Sequence, residues 1–209
     1  MQSYITIDKE CEYEFVEKKS KFKGMLFPVE TYEQAQEKLT EIKKTYWDAT
    51  HNCSAMIIGT DKSFMRYSDD GEPQGTAGVP MLEVLKQSGL TNVLAVATRY
   101  FGGILLGAGG LVRAYTKSVS GAVANSQKIE MVPCARYETA VSYSAYGRME
   151  NLLANGGYIK EDALFAEDIK VITGVPFELE EKFKKDVTEA FLGAATPKKL
   201  DEVYVKKYL

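Results

Sequence analysis

The chain has 209 residues, of which 45% are hydrophobic and 26% charged, and its formal net charge is −3. This composition is typical of a globular protein with one large or two small domains, and no stretch approaches the ~20 apolar residues of a membrane span. Three cysteines without CxxC spacing and a single histidine argue against a disulfide framework, a metal site and most histidine-based catalysis. The start of the chain lacks the apolar core of a signal peptide, so we expect a cytoplasmic protein with no membrane partner.

The charge balance limits how the chain could bind nucleic acid. Because both halves are close to neutral, an RNA site would have to be a local basic patch. A first candidate is the set Lys19, Lys21 and Lys23, since residues two apart on a strand share a face. These lysines lie in a hairpin predicted over residues 12–29, and the alternative is that they protect a solvated sheet edge.

A helix and a strand are predicted next. The helix covers residues 31–46, with Thr31 as its N-cap. The strand covers residues 50–59 and carries His51 and Cys53 on one face. Strand neighbours two apart stand parallel and too far from each other for a nucleophile and its base. We therefore expect a buried cysteine beside a hydrogen-bonded histidine and no catalytic residue here.

The first of two glycine-rich turns carries three carboxylates just ahead of a predicted helix. One interpretation is a well-capped structural turn, with Thr76 as the helix N-cap. The alternative is that the acids, which would repel one another without a partner, bind a cation or pair with Arg66 or Arg99. We favour an ordering role over catalysis. The residues of this signature turn are Arg66, Asp69, Asp70, Glu72, Gln74 and Thr76.

The second turn follows a run of apolar residues, 92–98, that predicts a strand buried on both faces. A strand, a glycine-rich turn and a helix together present free N–H groups to an anion. On the helix predicted over residues 109–125, Arg113 and Lys117 share one face. The candidate anion-binding residues are Arg99, Gly102, Gly103, Gly107, Gly109, Gly110, Arg113 and Lys117.

Two other interpretations of this second turn remain. Gly102 and Gly107 have the spacing of a P-loop, but Ala108 stands where the phosphate-binding lysine belongs, so nucleotide hydrolysis is only weakly indicated. The glycines could instead serve close packing of helix on strand, with no ligand at all.

A domain boundary is predicted at Val132-Pro133, which gives separate compact domains over residues 1–133 and 134–209. The second domain reads strand, helix, strand, strand, helix, strand. This βαββαβ order is ferredoxin-like, and the fold class of the whole chain is α+β. The second domain has no cluster of histidines, cysteines or catalytic-looking polar groups, so we interpret it as a binding or positioning module.

Two long motifs carry a family resemblance. The run DDGEPQGTAGVPML, followed by ATRYFGGILLGAGGLVRAY, resembles the signature of the IMPACT/YigZ family, and the resemblance extends over the whole chain, including a second domain of the type found in bacterial members. It implies an N-terminal domain similar to the second domain of ribosomal protein S-five and a C-terminal domain similar to the fifth domain of elongation factor G. Both parallels imply association with RNA or the ribosome, and eukaryotic members regulate translation through protein partners.

Three functions follow from the sequence and the resemblance. The favoured one is a translation-associated binding protein that contacts RNA, the ribosome or a translation factor through the glycine-rich anion-binding turn. The alternative is an enzyme that acts on a phosphorylated small molecule or nucleotide. A regulator that binds only protein is the third. The residues favour a binding protein over an enzyme, and they predict no cofactor.

Overall fold

A computed structural model describes all 209 residues, and the chain divides into two compact units. One unit comprises residues 4–129 with Leu209, and the other comprises residues 1–3 and 130–208. The sequence predicts domains over 1–133 and 134–209, and whether each folds independently stays a prediction. Val132 and Pro133, where the sequence predicts the boundary, lie inside a continuous strand, Lys128–Val141.

The first unit is built around one antiparallel sheet and three helices. Its strands run in the order β2-β3-β6-β4-β5 across the sheet. A further short strand, β1, precedes them, held by the Thr91 N–H donating to the Ile5 carbonyl at 2.9 Å. The elements are β1 (Tyr4–Ile7), β2 (Cys11–Glu17), β3 (Ser20–Pro28), α1 (Tyr32–Thr45), β4 (His51–Ile58), β5 (Phe64–Ser68), α2 (Gly78–Ser88), β6 (Val93–Tyr100) and α3 (Ala108–Asn125).

Helices cover both faces of this sheet. Residues of α2 and α3 pack against one face in the larger core, which includes Phe22, Ala95 and Tyr115. Residues of α1 pack against the opposite face, where alternate residues such as Leu94 and Val96 point. Strand β6 lies in the middle and is buried on both sides, which confirms the interpretation of its apolar run.

Local sequence signals fix the ends of two helices. The Thr31 hydroxyl accepts from the Gln34 N–H at 3.2 Å, so Thr31 caps α1 as predicted. Helix α2 ends at Gly89, which adopts a left-handed conformation with φ 75°. The start of α1 therefore lies where the sequence predicts.

The second unit contains strands β7 to β10 and two helices. Strand β7 pairs with β9 and β10, and β9 also pairs with β8. The two helices bury Met149, Leu153, Phe183 and Val187 against the sheet. No helix of the chain is long and apolar enough to cross a membrane. The elements are β7 (Lys128–Val141), α4 (Tyr143–Gly156), β8 (Ile159–Phe165), β9 (Ile169–Pro176), a 3-10 turn (Phe177–Leu179), α5 (Glu180–Phe191) and β10 (Lys198–Tyr208).

Candidate functional site

The candidate site lies at one end of the first unit's sheet, which we call the loop end. The loop end is formed by four segments: residues 18–19 between β2 and β3, 46–50 before β4, 69–77 before α2, and 101–107 before α3. The strand register brings them together, because Lys21 pairs with Tyr100 and His51 pairs with Arg99. Both glycine-rich turns of the sequence therefore meet at this end, where α2 and α3 begin.

Asp69 caps α2 in the first turn. Its Oδ1 accepts from the N–H groups of Ala77 at 3.1 Å and Gly78 at 2.8 Å, and its Oδ2 accepts from the Gly75 N–H at 2.8 Å. Burial of Asp69 disfavours its charge, but these three N–H groups outweigh that effect and lower the pKa of the carboxyl. The predicted cap, Thr76, instead donates its hydroxyl to the Pro73 carbonyl at 2.6 Å, so that prediction is wrong.

Asp70 ties the first turn to α1 and β4. Its carboxylate accepts from Lys43 Nζ at 2.6 Å and from the Asn52 N–H at 2.7 Å. Its backbone carbonyl lies 2.8 Å from His51 Nδ1, and because a carbonyl can only accept, that nitrogen carries the proton. Asp70 therefore pairs with a lysine that the sequence analysis did not consider, and with neither predicted arginine.

Glu72 is the most deeply buried of the three acids, with 2% of its side chain exposed. Its Oε1 accepts from Arg99 Nη1 and from the Tyr115 hydroxyl, each at 2.7 Å. The Arg99 guanidinium lies between the rings of Phe22 and Phe101, 5.5 Å from each centroid. Arg99 is thus the arginine that neutralises the signature turn.

The other two members of the signature turn do not join this network. Arg66 is exposed on β5, where its guanidinium lies 5.4 Å from the centre of the Phe64 ring. Gln74 is exposed at the surface of the turn. Neither contacts the three carboxylates.

The buried network offers no nucleophile. The Cys53 thiol donates to the Asp69 carbonyl at 3.0 Å, and burial raises the pKa of Cys53 to about 12. Burial also raises the pKa of the Tyr115 hydroxyl, which donates to Glu72. Both groups therefore stay protonated at neutral pH, as a structural network requires. No group of three or more histidines, cysteines and acids is placed to hold a metal ion.

Close packing or a positive φ requires glycine at several positions of the second turn. A Cβ on Gly102 would lie 2.0 Å from the Lys19 carbonyl carbon, so only glycine lets the hairpin tip pack here. Gly103 and Gly107 have φ 82° and 72°, the left-handed region that glycine enters without strain. A Cβ on Gly109, by contrast, would meet nothing within 4 Å.

The start of α3 is open. Gly107 precedes the helix without a side-chain cap, and the first turn of α3 contains no acidic residue. The first N–H groups of a helix have no partner within the helix. Those of α3 therefore remain available to an acceptor from outside.

Exposed cations lie beside this open helix start. Arg113 and Lys117 stand one turn apart on α3, and with Lys18 and Gly110 they line a cleft of about 260 Å³. Lys117 Nζ lies 4.4 Å above the Phe15 ring, which forms another wall. Glu17 is the one acid in the lining. The structure thus brings Arg113, Lys117 and the glycines together and adds Lys18.

Arg99 does not belong to this surface. Only 6% of its side chain is exposed, and its guanidinium is held by Glu72 inside the unit. An anion at the start of α3 would meet Arg113 and Lys117 but not Arg99. The prediction that Arg99 enters the anion-binding surface is therefore corrected, because its charge is already neutralised.

The lysine strip on the β2–β3 hairpin is also different from the prediction. Lys19 is not on a strand, since Lys18 and Lys19 form the two-residue turn with φ 46° and 64°. Lys21 and Lys23 do share a face, but they form ion pairs with Glu14 at 3.1 and 3.0 Å, and Lys23 pairs with Glu12 at 2.7 Å. Glutamates on the paired strand therefore neutralise this strip.

Comparison with known proteins agrees with the two-unit organisation. The Impact N-terminal domain matches residues 18–123, which include both glycine-rich turns. This chain belongs to the IMPACT family. A second match, to a domain of unknown function (DUF1949), covers residues 139–194.

Relatives of the IMPACT family cover nearly the full chain. IMPACT family member YvyE of Bacillus subtilis is 41% identical over 207 residues, covering 99% of this chain and 95% of the relative. IMPACT family member YigZ of Escherichia coli is 39% identical, covering 69% of this chain and 73% of the relative. A crystal structure described as that of a hypothetical protein is 30% identical, with a TM-score of 0.63 and coverage of 96% and 98%.

Proposed function

We propose that this chain is a translation-associated binding protein that contacts phosphate groups of RNA or the ribosome through its second glycine-rich turn. The observation that carries the proposal is the open start of α3 beside Lys18, Arg113 and Lys117. None of these three cations has a carboxylate within salt-bridge distance. A polyanion would give the three cations a negative partner and the N–H groups at the start of α3 an acceptor.

Elementary electrostatics favours phosphate here. The aligned peptide dipoles put roughly +0.5 charge at a helix start, and its free N–H groups point outward to an acceptor. The chain as a whole carries −3, so attraction of a polyanion depends on this local surface and not on the overall charge. Phosphate groups fit these donors without any need to read a base sequence.

The association with translation rests on the family and on fold analogy. The sequence resembles a family whose eukaryotic members regulate translation, and its first unit is proposed to be similar to the second domain of ribosomal protein S-five. In the second unit, the strand pairing β8-β9-β7-β10 supports a ferredoxin-like assignment similar to the fifth domain of elongation factor G. A fold does not determine a function, so a ribosomal or protein partner requires its own experiment.

The proposal is tested by the salt dependence of RNA binding. Each phosphate contact contributes about 0.7 for a single strand, or about 0.9 for a duplex, to the slope of log K against log salt. Changing Arg113→Ala and Lys117→Ala together should weaken binding to a labelled RNA and reduce that slope by about 1.4–1.8. Fluorescence anisotropy at several salt concentrations measures both effects.

A matched control removes two exposed helix lysines from the second unit. Lys182→Ala with Lys185→Ala lowers the total charge by the same amount but leaves the loop end intact. This control should retain the wild-type slope. An unchanged slope in the α3 double variant would contradict the proposed surface, and so would an equal loss in the control.

The cleft itself favours one second candidate, an enzyme that acts on a phosphorylated small molecule. Its volume of about 260 Å³ and its lining by Arg113 and Lys117 would suit a small phosphate ester. The lining supplies one carboxylate, Glu17, while the buried Cys53 and Tyr115 stay protonated and cannot serve as bases. A rise in melting temperature with a nucleotide, without any RNA binding, would favour this candidate.

A further inference from the structure

The chain's single tryptophan is exposed at the loop end. Trp47 stands between α1 and β4 with 81% of its surface exposed. Tryptophan is usually well buried, since it removes more apolar surface from water than most other residues. An indole ring left in water on a folded unit contributes nothing to its core. Its exposure therefore needs an explanation outside the fold.

The segment that carries Trp47 is hydrogen-bonded to the chain around a second exposed aromatic residue, Phe101. The Thr50 N–H donates to the Arg99 carbonyl at 2.9 Å, and the Phe101 N–H donates to the Thr50 hydroxyl at 3.0 Å. The Tyr100 hydroxyl also donates to Asp48 at 2.9 Å. Three hydrogen bonds thus join the segment that carries Trp47 to the segment that carries Phe101.

Phe101 contacts Arg99 and remains partly exposed. The Arg99 guanidinium lies 5.5 Å from the centre of its ring, while 45% of the residue remains exposed. The Arg99 guanidinium beneath this contact is itself held by Glu72 at 2.7 Å. The loop end therefore presents two aromatic rings on segments that are bonded to each other and to the core.

Three lysines in or next to the loop end are unpaired, against one exposed acid beside Trp47, Asp48, which accepts from the Tyr100 hydroxyl. Lys18, Lys19 and Lys44 have no carboxylate partner. The acids of the first turn are already used, Asp70 by Lys43 and Glu72 by Arg99. A ligand at this end would meet aromatic faces among unpaired cations, so its chemistry should combine flat apolar groups with negative charge.

We infer that the loop end binds single-stranded RNA, with unpaired bases stacked on Trp47 and Phe101 while phosphates contact the open start of α3. This rests on the proposed function and specifies the class of RNA. Bases of a duplex are stacked on one another and cannot lie on a protein ring, whereas unpaired bases can. Stacking combined with a cationic surface is how proteins bind single strands without sequence preference.

A protein partner is the competing occupant of this surface. Ile104 and Leu105 extend the apolar surface beside Phe101, and Leu105 is 80% exposed. The unpaired lysines favour a polyanion, because a protein interface usually excludes lysine from its core. Leu105 provides a matched control, since it is as exposed as Trp47 but has no ring on which a base could stack.

Trp47 itself reports on the test, because no other tryptophan contributes to the fluorescence. An oligouridine of about 12 nucleotides, within the usual range of single-strand sites, should quench the emission, and the matching duplex should not. Trp47→Ala should raise the Kd for the oligouridine about 5- to 150-fold, the equivalent of ~1–3 kcal/mol for one base stack. Trp47→Phe should restore part of the affinity, and Leu105→Ala should leave it nearly unchanged.

The salt slope separates this inference from the proposed function. Trp47→Ala removes no cation, so its slope should equal that of the wild type while its Kd rises. If single strands bind but neither quench Trp47 nor respond to Trp47→Ala, the stacking inference is overturned and the proposed function stands. If Leu105→Ala weakens binding as much as Trp47→Ala, the surface is a general apolar one of the kind that protein partners use, and the inference is again overturned. If no RNA binds, both the stacking inference and the proposed function are contradicted.

Discussion

The two glycine-rich turns of the first unit both lead from a strand into a helix. One helix start is occupied by a carboxylate of the chain, and the other has no side-chain cap. In the first turn, the Asp69 carboxylate occupies the N–H groups at the start of α2. In the second turn, no acid and no side-chain cap occupies the start of α3. The difference shows that glycine content alone does not make an anion site. A helix start is available to a ligand only if the chain does not fill it with a carboxylate of its own.

The same contrast applies to the two arginines nearest these turns. Arg99 is buried and neutralised by Glu72, whereas Arg113 is exposed and unpaired. The first turn is thus an internal network that fixes the loop end, and the second is the proposed binding surface beside this network. The predictions below test each side of this comparison.

The largest expected effect follows from breaking the buried ion pair. Glu72→Ala leaves the Arg99 guanidinium buried without its carboxylate, which should lower the free energy of unfolding by about 3–5 kcal/mol. Denaturation by urea measures the loss. Replacing both partners by methionine should cost much less, since it leaves no unpaired charge inside.

The control for this prediction is the other arginine that the sequence offered. Arg66→Ala removes an exposed guanidinium that contacts no acid of the turn, so it should change the free energy of unfolding by less than about 0.5 kcal/mol. A loss for Arg66→Ala as large as that for Glu72→Ala would contradict the assignment of Arg99 as the neutralising partner.

A smaller effect is expected from the cap of α2. Asp69→Ala should lower the free energy of unfolding by about 0.5–2 kcal/mol, since three N–H groups lose their acceptor. Because the folded-state pKa of Asp69 lies below its ordinary value of 3.8, its contribution is complete above that pH and is lost as the pH falls through the folded pKa. Urea titrations of the wild type and the variant should therefore converge under acid conditions.

Thr76→Val tests the alternative cap. It removes the hydroxyl that donates to Pro73 but leaves the Asp69 carboxylate at the start of α2. Its effect on unfolding should not depend on pH in the acid range. A pH-independent loss in Thr76→Val, together with no loss in Asp69→Ala, would show that Thr76 is the cap after all.

The smallest expected change in stability comes from placing a carboxylate at the start of α3, as Asp69 does at the start of α2. Gly109→Glu places an acid in the first turn of α3, where a new side chain meets nothing within 4 Å. The carboxylate should stabilise the helix start by about 0.3–1 kcal/mol and should reduce RNA affinity by filling the site.

Gly109→Ala is the matched control for this variant. It adds a Cβ without charge, so any gain in helix propensity appears in both variants, but the RNA affinity of the alanine variant should equal that of the wild type. Anisotropy titrations of the two variants at one salt concentration make the comparison. Equal affinities for glutamate and alanine would mean that the start of α3 is not the phosphate site.

Strong local signals made much of the fold predictable. The apolar run of β6 predicts burial on both faces, and Thr31 predicts the start of α1. By contrast, β1 is only four residues long and carries no clear alternation, so it was not predicted. Pro133 lies within a strand, where a proline ordinarily predicts a break.

The candidate site was harder to predict because its contacts are long-range. Asp69 accepts from Gly78, which lies nine positions further along the chain, and no local rule prefers Asp69 to Thr76 as the cap. Glu72 follows β5, and it reaches Arg99 because β5 pairs with β4 and β4 pairs with β6. The composition of the chain does not reveal these pairings. Lys18 joins the cleft because the β2–β3 register makes it a turn residue, and that register becomes visible only in the folded sheet.

The hairpin tip has a consequence for anyone who would engineer this protein. Lys18 and Lys19 both hold a left-handed backbone, with φ 46° and 64°, that residues with a side chain adopt at a cost of order 1 kcal/mol each. Asn-Gly in their place would relieve that strain, because it suits such a two-residue turn, but it would also remove two unpaired cations. Selection for heat resistance should therefore favour losing these lysines, and selection for ligand retention should favour keeping them.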